Sequence, residues 1–245
     1  MNEVLIIDGT RTPVGRFGGA FKEISASDLG AIAIKESIKR AGIEPKMVDE
    51  VVFGNAMQSA VPKGEGGMLV VLGTEIKNIS DLLQENEKKY ECFIANDNSN
   101  GQVVLSGRNK DLDLLIEDLK KKSIKNIKLP VSAPFHCKLM SSATAIMRKE
   151  ISNTEFKNPN NVIISNVTGK ETNSSNQIKD LLIEQIESPV RWRESIVYMI
   201  NKEVRKFIEI GPGKVLSGLI KRIDKSVSLI SVNEIEDLKN INLND

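Results

Sequence analysis

The sequence predicts an α/β protein in which a ferredoxin-like βαββαβ unit, residues 67–132, interrupts a parallel sheet. Hydrophobic residues make up 40% of the 245 positions, which is enough for a proper core. Short apolar runs alternate with amphipathic helical patterns at both ends of the chain, which is typical of a parallel sheet covered on both faces. Between those ends the order changes to strand, helix, two strands, helix and strand.

The first elements occupy residues 1–56. "EVLIID", residues 3–8, is a continuous apolar run that predicts a buried strand. "SASDLGAIAIKESIKRAG" predicts a helix over 25–42, because Ser25 and Asp28 form a capping box and Gly42 is a C-terminal stop. "VDEVVFGN", residues 48–55, predicts a second strand.

The ferredoxin-like prediction depends on six successive patterns. "GMLVVLG", "YECFIAND", "QVVLSG" and "NIKLPVS" are strand-like, and "NSNG" has the composition of a turn. "ISDLLQENEKK" predicts the first helix. "DLDLLIEDLKKK" predicts the second, over 109–122, because apolar residues recur at helical spacing, namely Leu112, Leu115, Ile116 and Leu119.

Residues 133–245 return to alternating elements. Helices are predicted at 139–151, 177–186, 192–202 and after Gly213, and strands at "NVIISNV", "KFIEIG" and "SVSLISV". Trp192, Arg193 and Glu194 are interpreted as a helix start that packs on the core. The tail "DLKNINLND" is polar, and we expect it to fray.

Composition argues against several classes of protein. The net charge is +1, from 34 basic and 33 acidic residues, which gives no support for a nucleic-acid binder or a membrane-surface protein. Two cysteines without a C-x-x-C motif argue against a disulfide framework and a structural zinc site. The N-terminus resembles neither a signal peptide nor a membrane span. We therefore expect a cytoplasmic protein with no metal and no membrane association.

The chain has one histidine, His136, in "LPVSAPFHCKLM". A lone histidine is more often structural than catalytic, but this one follows a predicted strand end and a proline-containing turn, where α/β sites are built. A histidine base requires a nucleophile within hydrogen-bond reach. Cys137 is adjacent in sequence, which disfavours a Cys–His dyad, and no G-x-S-x-G nucleophile elbow occurs in the sequence.

The stretch "IGPGKVLSGL", from Ile210 to Leu219, has two readings. Its glycines allow a phosphate-binding loop at a helix start. It lacks the G-x-x-x-x-G-K-[ST] spacing, so a tight strand-to-helix turn is favoured.

From about residue 57 to the end, the chain resembles malonyl-CoA:acyl carrier protein transacylases. The resemblance is carried by "MQSAVPKGEGGM", "NDNSNGQVVLSG", "LPVSAPFHCKLM", "ESPVRWRESIVYM" and "IEIGPGKVLSGLIKRI", in the family's order. It implies that 67–132 is the family's small subdomain and 133–245 the remainder of its large one. It also implies that His136 is the catalytic histidine, that the backbone carbonyl of Gln185 orients its ring, and that Asn98 lies beside the acyl pocket.

Residues 1–56 resemble instead the N-terminus of a thiolase, an acetyl-CoA acetyltransferase. The joint falls at "GNAMQ", residues 54–58, a phrase that fits both families. Phe53 stands where the transacylases have the arginine that binds the malonyl carboxylate. The resemblance implies a fusion of a thiolase start with a transacylase that lacks its first third, which carries the nucleophile; we favour an assembly error as its origin.

The transacylase resemblance implies ping-pong acyl transfer from malonyl-CoA to the phosphopantetheine thiol of acyl carrier protein, without a cofactor, by a monomer. Because the nucleophile-bearing part is missing, we expect little or no activity. Two alternatives stay open. One is a non-catalytic binder of acyl carrier protein, for which the basic run "KKKSIKNIK" is the candidate surface. The other is a thiolase fragment.

Overall fold

The computed structural model describes residues 24, 26–42, 44–47, 61–62, 64–211, 213–234 and 237, without the side chains of residues 26 and 27. The chain divides into two compact units, residues 1–55 and 56–245, and each is described by itself. The strands predicted at 3–8 and 48–55, the capping residue Ser25, Phe53, the joint at 54–58 and most of the polar tail lie outside the described residues.

The first unit contains helix α1, Ala26–Ala41, followed by a short 3₁₀ helix, Pro45–Met47. Asp28 in the first turn and Lys39 and Arg40 in the last turn have the charges that the helix dipole favours at each end. Gly42 has φ of +65° and donates its N–H to the carbonyl of Lys39 at 3.2 Å. The helix and its glycine stop are thus confirmed.

The second unit begins with the predicted βαββαβ order. Its elements are β1 Gly66–Leu72, α2 Ile76–Glu85, β2 Cys92–Ser99, β3 Gln102–Arg108, α3 Asn109–Lys121 and β4 Lys125–Lys128. The strands form one sheet in the order β2-β3-β1-β4, and every neighbouring pair is antiparallel. This is the ferredoxin-like arrangement, with the first strand between the third and the fourth.

Side chains pack on both faces of this sheet. On one face, strand residues such as Leu69 and Leu105 pack against α2 and α3, which contribute Ile79, Leu112 and Leu115; all five are fully buried. The opposite face presents a second cluster, packed against the segment that follows β4 and made of Met68, Ala95 and Val104 with Leu129, Val131 and Phe135. The helical spacing in α3 thus identified its core-facing residues correctly.

The C-terminal part contains α4 Ser141–Asn153, preceded by a 3₁₀ turn at Lys138–Met140, then α5 Ser175–Glu184, α6 Trp192–Asn201 and α7 Val215–Ile223. Its strands are β5 Ile163–Ile164, β6 Glu171–Thr172, β7 Lys206–Ile210 and β8 Ser228–Val232. β7 and β8 pair in parallel, as expected for elements that alternate with helices. The predicted α/β class with its ferredoxin-like insert is therefore confirmed.

The strand predicted at "NVIISNV" is much shorter than its apolar run suggests. Only Ile163–Ile164 are extended, and they pair antiparallel with Glu171–Thr172. The reason is a tight turn after Ser165, whose carbonyl accepts the N–H of Gly169 at 2.9 Å and whose hydroxyl accepts the N–H of Val167 at 3.2 Å. Gly169 has φ of +64°, so the chain reverses there instead of extending.

Within the described residues, none of the helices combines the length and the apolar composition that crossing a membrane requires.

Candidate active site around His136

The loop that carries His136 is fastened to the ferredoxin-like sheet. Ser106, fully buried on β3, donates its hydroxyl to the carbonyl of Phe135 at 2.5 Å. Pro134 packs directly on Gly66, where an added Cβ atom would lie 2.3 Å from the proline Cδ. Position 66 therefore requires glycine, and the two residues before His136 are held by the neighbouring strands β1 and β3.

His136 itself has φ of +61°, in the left-handed region. Few residues other than glycine adopt this conformation, although histidine is enriched among those that do. Such backbone strain is concentrated at functional sites. The half-buried ring is directed by this turn between Pro134 and the 3₁₀ helix that begins at Lys138.

The ring nitrogen Nδ1 of His136 lies 3.0 Å from the backbone carbonyl oxygen of Gln185. Gln185 caps the C-terminal end of α5, and its own N–H donates to the carbonyl of Leu181 at 3.0 Å. A carbonyl oxygen can only accept, so Nδ1 carries the proton in this bond. In the neutral ring Nε2 then has a free lone pair, which is the arrangement that a general base needs.

His136 lines a cleft of about 370 Å³. The cleft is bounded by α2, β2 and the segment after α5, and its walls include Ser80, Phe93, Lys138 and Glu187. Lys138 is held by an ion pair with Glu91 at 2.5 Å and lies 5.1 Å from the centroid of the Phe93 ring. Beside the imidazole the cleft therefore carries an ion-paired lysine, the carboxylate of Glu187 and the apolar ring of Phe93.

Among the side chains that the structure describes, no serine or cysteine is hydrogen-bonded to the His136 ring, whose partner is the Gln185 carbonyl. Cys137 is only 2% exposed and donates its thiol to the carbonyl of Pro134 at 3.1 Å. Burial raises the pKa of the Cys137 thiol to about 11 and that of Cys92 to about 12. Neither thiol is a thiolate near neutral pH, so neither has the electronic state of a nucleophile.

Of the other two predicted site residues, the structure describes Asn98 but not Phe53. Asn98 is half-buried in β2, inside an irregularity of the β2–β3 pairing between Asp97 and Ser99. Phe53 lies outside the described residues. The structure therefore brings His136 and Gln185 together and locates Asn98 on the neighbouring sheet.

Sequence reasoning missed an ion pair one residue from Asn98. Arg193 donates Nε and Nη2 to the carboxylate of Asp97 at 2.7–3.1 Å, and the Asp97 side chain is only 4% exposed. The helix start at Trp192 does pack on the core, as interpreted, but Arg193 does not point to solvent. A buried Asp in a strand and an Arg almost a hundred residues later give no local pattern, so only the tertiary structure reveals the pair.

The stretch "IGPGKVLSGL" forms a strand-to-helix turn, and the start of α7 is capped from within the chain. Glu209 on β7 accepts the N–H groups of Leu216 at 3.0 Å and Ser217 at 2.7 Å. Its carboxylate occupies the position where a bound phosphate would sit. The structure thus favours the turn over the phosphate loop. In the described part of the chain, no group of His, Cys, Asp and Glu side chains could hold a metal ion.

Comparison with known proteins finds two similarities in this chain. Residues 4–69 match the family described as thiolase, N-terminal domain. Malonyl CoA-acyl carrier protein transacylase of Bacillus subtilis is 39% identical over 190 residues, or 76% of this chain, and that of Staphylococcus aureus is 37% identical over 196 residues. Over most of its length this chain is similar in sequence to these transacylases. The chain spans 59% of the Bacillus and 63% of the Staphylococcus protein.

Solved structures agree with the transacylase relationship. The malonyl CoA-acyl carrier protein transacylase of Clostridium perfringens matches with a TM-score of 0.72 at 36% identity, over 76% of this chain and 58% of that one. A malonyl-transacylase solved in complex with its type II PKS acyl-carrier protein matches with a TM-score of 0.73 at 31% identity, over 87% of this chain and 65% of that one. The suspected resemblance to both families is thus confirmed. The thiolase match extends past residue 56, so the two similarities overlap.

Proposed function

We propose that residues 57–245 are the base-bearing part of a malonyl-CoA:acyl carrier protein transacylase, with His136 as general base and Gln185 as the residue that orients it. The observation that carries this proposal is the 3.0 Å bond from His136 Nδ1 to the Gln185 carbonyl, beside a cleft. That bond leaves Nε2 as the basic nitrogen, which is the atom that accepts a proton from an attacking hydroxyl or thiol.

The reaction is a ping-pong acyl transfer. A hydroxyl nucleophile gives its proton to the imidazole and attacks the thioester carbonyl of malonyl-CoA; the C–S bond breaks and CoA leaves as the thiol with that proton. The phosphopantetheine thiol of acyl carrier protein then gives its proton to the imidazole and attacks the enzyme ester; the C–O bond breaks, and the imidazole returns the proton to restore the hydroxyl. The substrates are malonyl-CoA and phosphopantetheinylated acyl carrier protein, and acid–base chemistry alone suffices for both steps.

We further propose that this chain on its own transfers malonyl groups very slowly or not at all. Support comes from the sequence, which lacks a G-x-S-x-G elbow, and from Cys137, which is buried and protonated. Loss of the nucleophile in a hydrolase-type site costs on the order of 10⁶ in turnover. Phe53, where the family has an arginine, would cost roughly a further 2–5 kcal/mol in binding of the malonyl carboxylate.

A hybrid protein tests the family assignment. Residues 1–56 are replaced by the N-terminal part of the Bacillus subtilis transacylase that this chain does not cover, which brings in its own nucleophile. We expect the hybrid to form a malonyl-enzyme and to load a carrier protein. His136→Ala in the hybrid should lower turnover by a factor on the order of 10⁶, whereas Cys137→Ser should not.

The result that would overturn the proposal is a folded hybrid that binds malonyl-CoA without transferring the acyl group, or one whose transfer survives His136→Ala. Circular dichroism on the hybrid and on both variants serves as the folding control.

The alternative of a non-catalytic carrier-protein binder depends on the basic run at 120–128. Lys120, Lys122 and Lys125 are exposed there, while Lys121 and Lys128 pair with Asp118 and Asp113. Lysines on an edge strand such as β4 also serve to prevent edge-to-edge association. Calorimetry with holo acyl carrier protein discriminates the two readings: binding that Lys122→Glu and Lys125→Glu abolish, in a hybrid that stays inactive, favours the binder.

A further inference from the structure

The segment from Gln185 to Arg191 connects the histidine's partner to the ferredoxin-like sheet. Gln185, Ile186 and Glu187 continue the last turn of α5, and Ile186 is buried against Met140 and Ala143. Pro189 then stiffens the chain before Val190 reaches β2. The carbonyl that holds His136 is therefore fixed through a short, internally bonded stretch.

Val190 is joined to β2 by two backbone bonds. Its N–H donates to the Ala95 carbonyl at 2.8 Å, and its carbonyl accepts the N–H of Asp97 at 3.0 Å. These two bonds form an isolated parallel bridge with Asn96 in the middle. A bridge of this size is short for a strand pairing, since regular strands of the sheet share four to seven pairs.

The Asp97–Arg193 pair closes this connection with three further bonds, all with an ionised donor and acceptor. The hydrogen bond with Asp97 raises the pKa of the Arg193 guanidinium. Arg193 is in the first turn of α6, directly after the segment, and its planar group matches the carboxylate as a fork. Five bonds thus attach residues 190–193 to β2.

The loop of His136 is attached to the same sheet on the neighbouring strand, through Ser106 of β3 and the carbonyl of Phe135. The loop of His136, which supplies the donor, is therefore attached to β3, and the segment of Gln185, which supplies the acceptor, is attached to the adjacent strand β2. Loss of the β2 attachment would therefore release one end of the 185–191 segment while the loop of His136 stays attached to β3.

We infer that the Arg193–Asp97 ion pair is a positioning device that holds the Gln185 carbonyl against His136 Nδ1 and thereby selects the tautomer with the lone pair on Nε2. Calling His136 the base rests on the proposed function, but the positioning of its ring does not. Arg193 and Asp97 are positioning residues; they act on the imidazole through the 185–191 segment.

The single histidine makes the test direct. Nitrogen-15 NMR of the full chain, labelled at histidine and recorded where the imidazole is neutral, reports which ring nitrogen carries the proton. We expect the Nδ1–H tautomer to dominate in the unaltered chain. In Arg193→Gln the ratio of Nδ1–H to Nε2–H should fall about fivefold or more, the equivalent of one net hydrogen bond. Arg193→Lys, which keeps the charge but loses the fork-shaped donor group, should give a ratio between those of the unaltered chain and Arg193→Gln.

Arg191→Gln is the matched control. It removes the same charge two residues away, from an exposed pair with Glu194 at 3.2 Å, and should leave the tautomer ratio unchanged. An Arg193→Gln chain that folds and keeps the ratio of the unaltered chain overturns the inference, because the backbone bridge at Val190 would then suffice.

A second variant covers the case in which Arg193→Gln does not fold. The lone Asp97 carboxylate would then be buried without its partner, which is strongly destabilising, whereas replacing both members removes that charge. The double variant Asp97→Asn, Arg193→Gln should fold and still show the reduced ratio. If it folds with the ratio of the unaltered chain, the ion pair has no positioning role. Since the readout does not depend on turnover, a failed acyl-transfer assay would leave this test intact.

Discussion

At the scale of single residues, two cysteines lie near the imidazole, and burial raises the pKa of both thiols. Both Cys92 and Cys137 are buried, and both line the cleft that His136 faces. The adjacent position of Cys137 in sequence already disfavoured a dyad, and the structure supplies the reason. Its thiol donates to the Pro134 carbonyl and not to the imidazole of His136.

The raised thiol pKa values predict slow alkylation of the folded chain. With the pKa of Cys137 at about 11 instead of 9.0, the thiolate fraction at pH 8 falls roughly a hundredfold. Iodoacetamide labelling, followed by mass spectrometry, should therefore be at least about a hundredfold slower in the native chain than in urea. The rate should rise about tenfold for each pH unit between 8 and 10.

The variant Cys137→Ser separates the two thiols in this experiment, because it leaves only Cys92. Native labelling of Cys137 at pH 8 as fast as in the denatured chain would show that the thiol is ionised and accessible.

Single residues could be predicted where the signal lies in neighbouring positions of the sequence. His136 was identifiable because it is the single histidine and follows a strand end and a proline turn. Its bond to Gln185 came from resemblance, since a backbone carbonyl leaves no sequence signal. The left-handed φ of His136 and the Asp97–Arg193 pair could not be predicted, because each depends on contacts between distant parts of the chain.

At the scale of elements, the spacing of apolar residues correctly predicted which face of α3 is buried. Leu112, Leu115 and Leu119 face the sheet and are fully buried, whereas Leu114 is 37% exposed. The apolar run at 161–167 predicted a longer strand than the structure has, because the chain turns between Ser165 and Gly169. A period of 3.6 over three turns is specific, while a short apolar run is not.

The core role of α3 is tested with two neighbouring leucines. Leu115→Ala removes a fully buried side chain and should lower the free energy of unfolding by about 2–5 kcal/mol. Leu114→Ala, at the adjacent exposed position, should change it by less than about 1 kcal/mol. Urea unfolding followed by circular dichroism measures both, and equal losses would contradict the assigned face of the helix.

The cap at the start of α7 gives a pH-dependent prediction. Partial burial acts to raise the pKa of Glu209, but the bonds from Ser217 and from the backbone N–H groups of residues 215–217 outweigh it and lower the pKa. The carboxylate therefore stabilises the fold above the pKa of an ordinary glutamate, and this stability is lost as pH falls through the lowered value.

Glu209→Gln should accordingly cost about 0.5–1 kcal/mol at pH 7, the low end for a cap because the group is largely solvated. The difference from the unaltered chain should shrink as the pH is lowered from 7 to 3 and Glu209 becomes protonated, and urea midpoints at the two pH values measure it. Glu117→Gln, on the exposed side of α3, is the control and should have no comparable pH-dependent effect. A loss that is as large at pH 3 as at pH 7 would exclude the charge as its cause.

At the scale of the whole molecule, the chain combines two similarities, one to a thiolase N-terminal domain over residues 4–69 and one to transacylases over 76% of the chain. The α/β class, the ferredoxin-like insert and the parallel pairing of β7 with β8 could all be predicted from patterns of apolar residues. The function could not, because a fold supports many chemistries and the site is defined by a few side chains. What the second unit contains is a histidine held in the orientation of a base, and what its sequence lacks is an elbow that would carry the nucleophile.

Intact-mass spectrometry of the unaltered chain after incubation with malonyl-CoA tests this central claim most directly, with the Bacillus subtilis transacylase as positive control. An imidazole without a nucleophile cannot generate an acyl-enzyme, so the mass of this chain should stay unchanged while the control gains a malonyl group. A stable malonyl mass on the unaltered chain that His136→Ala abolishes would contradict the account, because it would prove that a nucleophile faces His136.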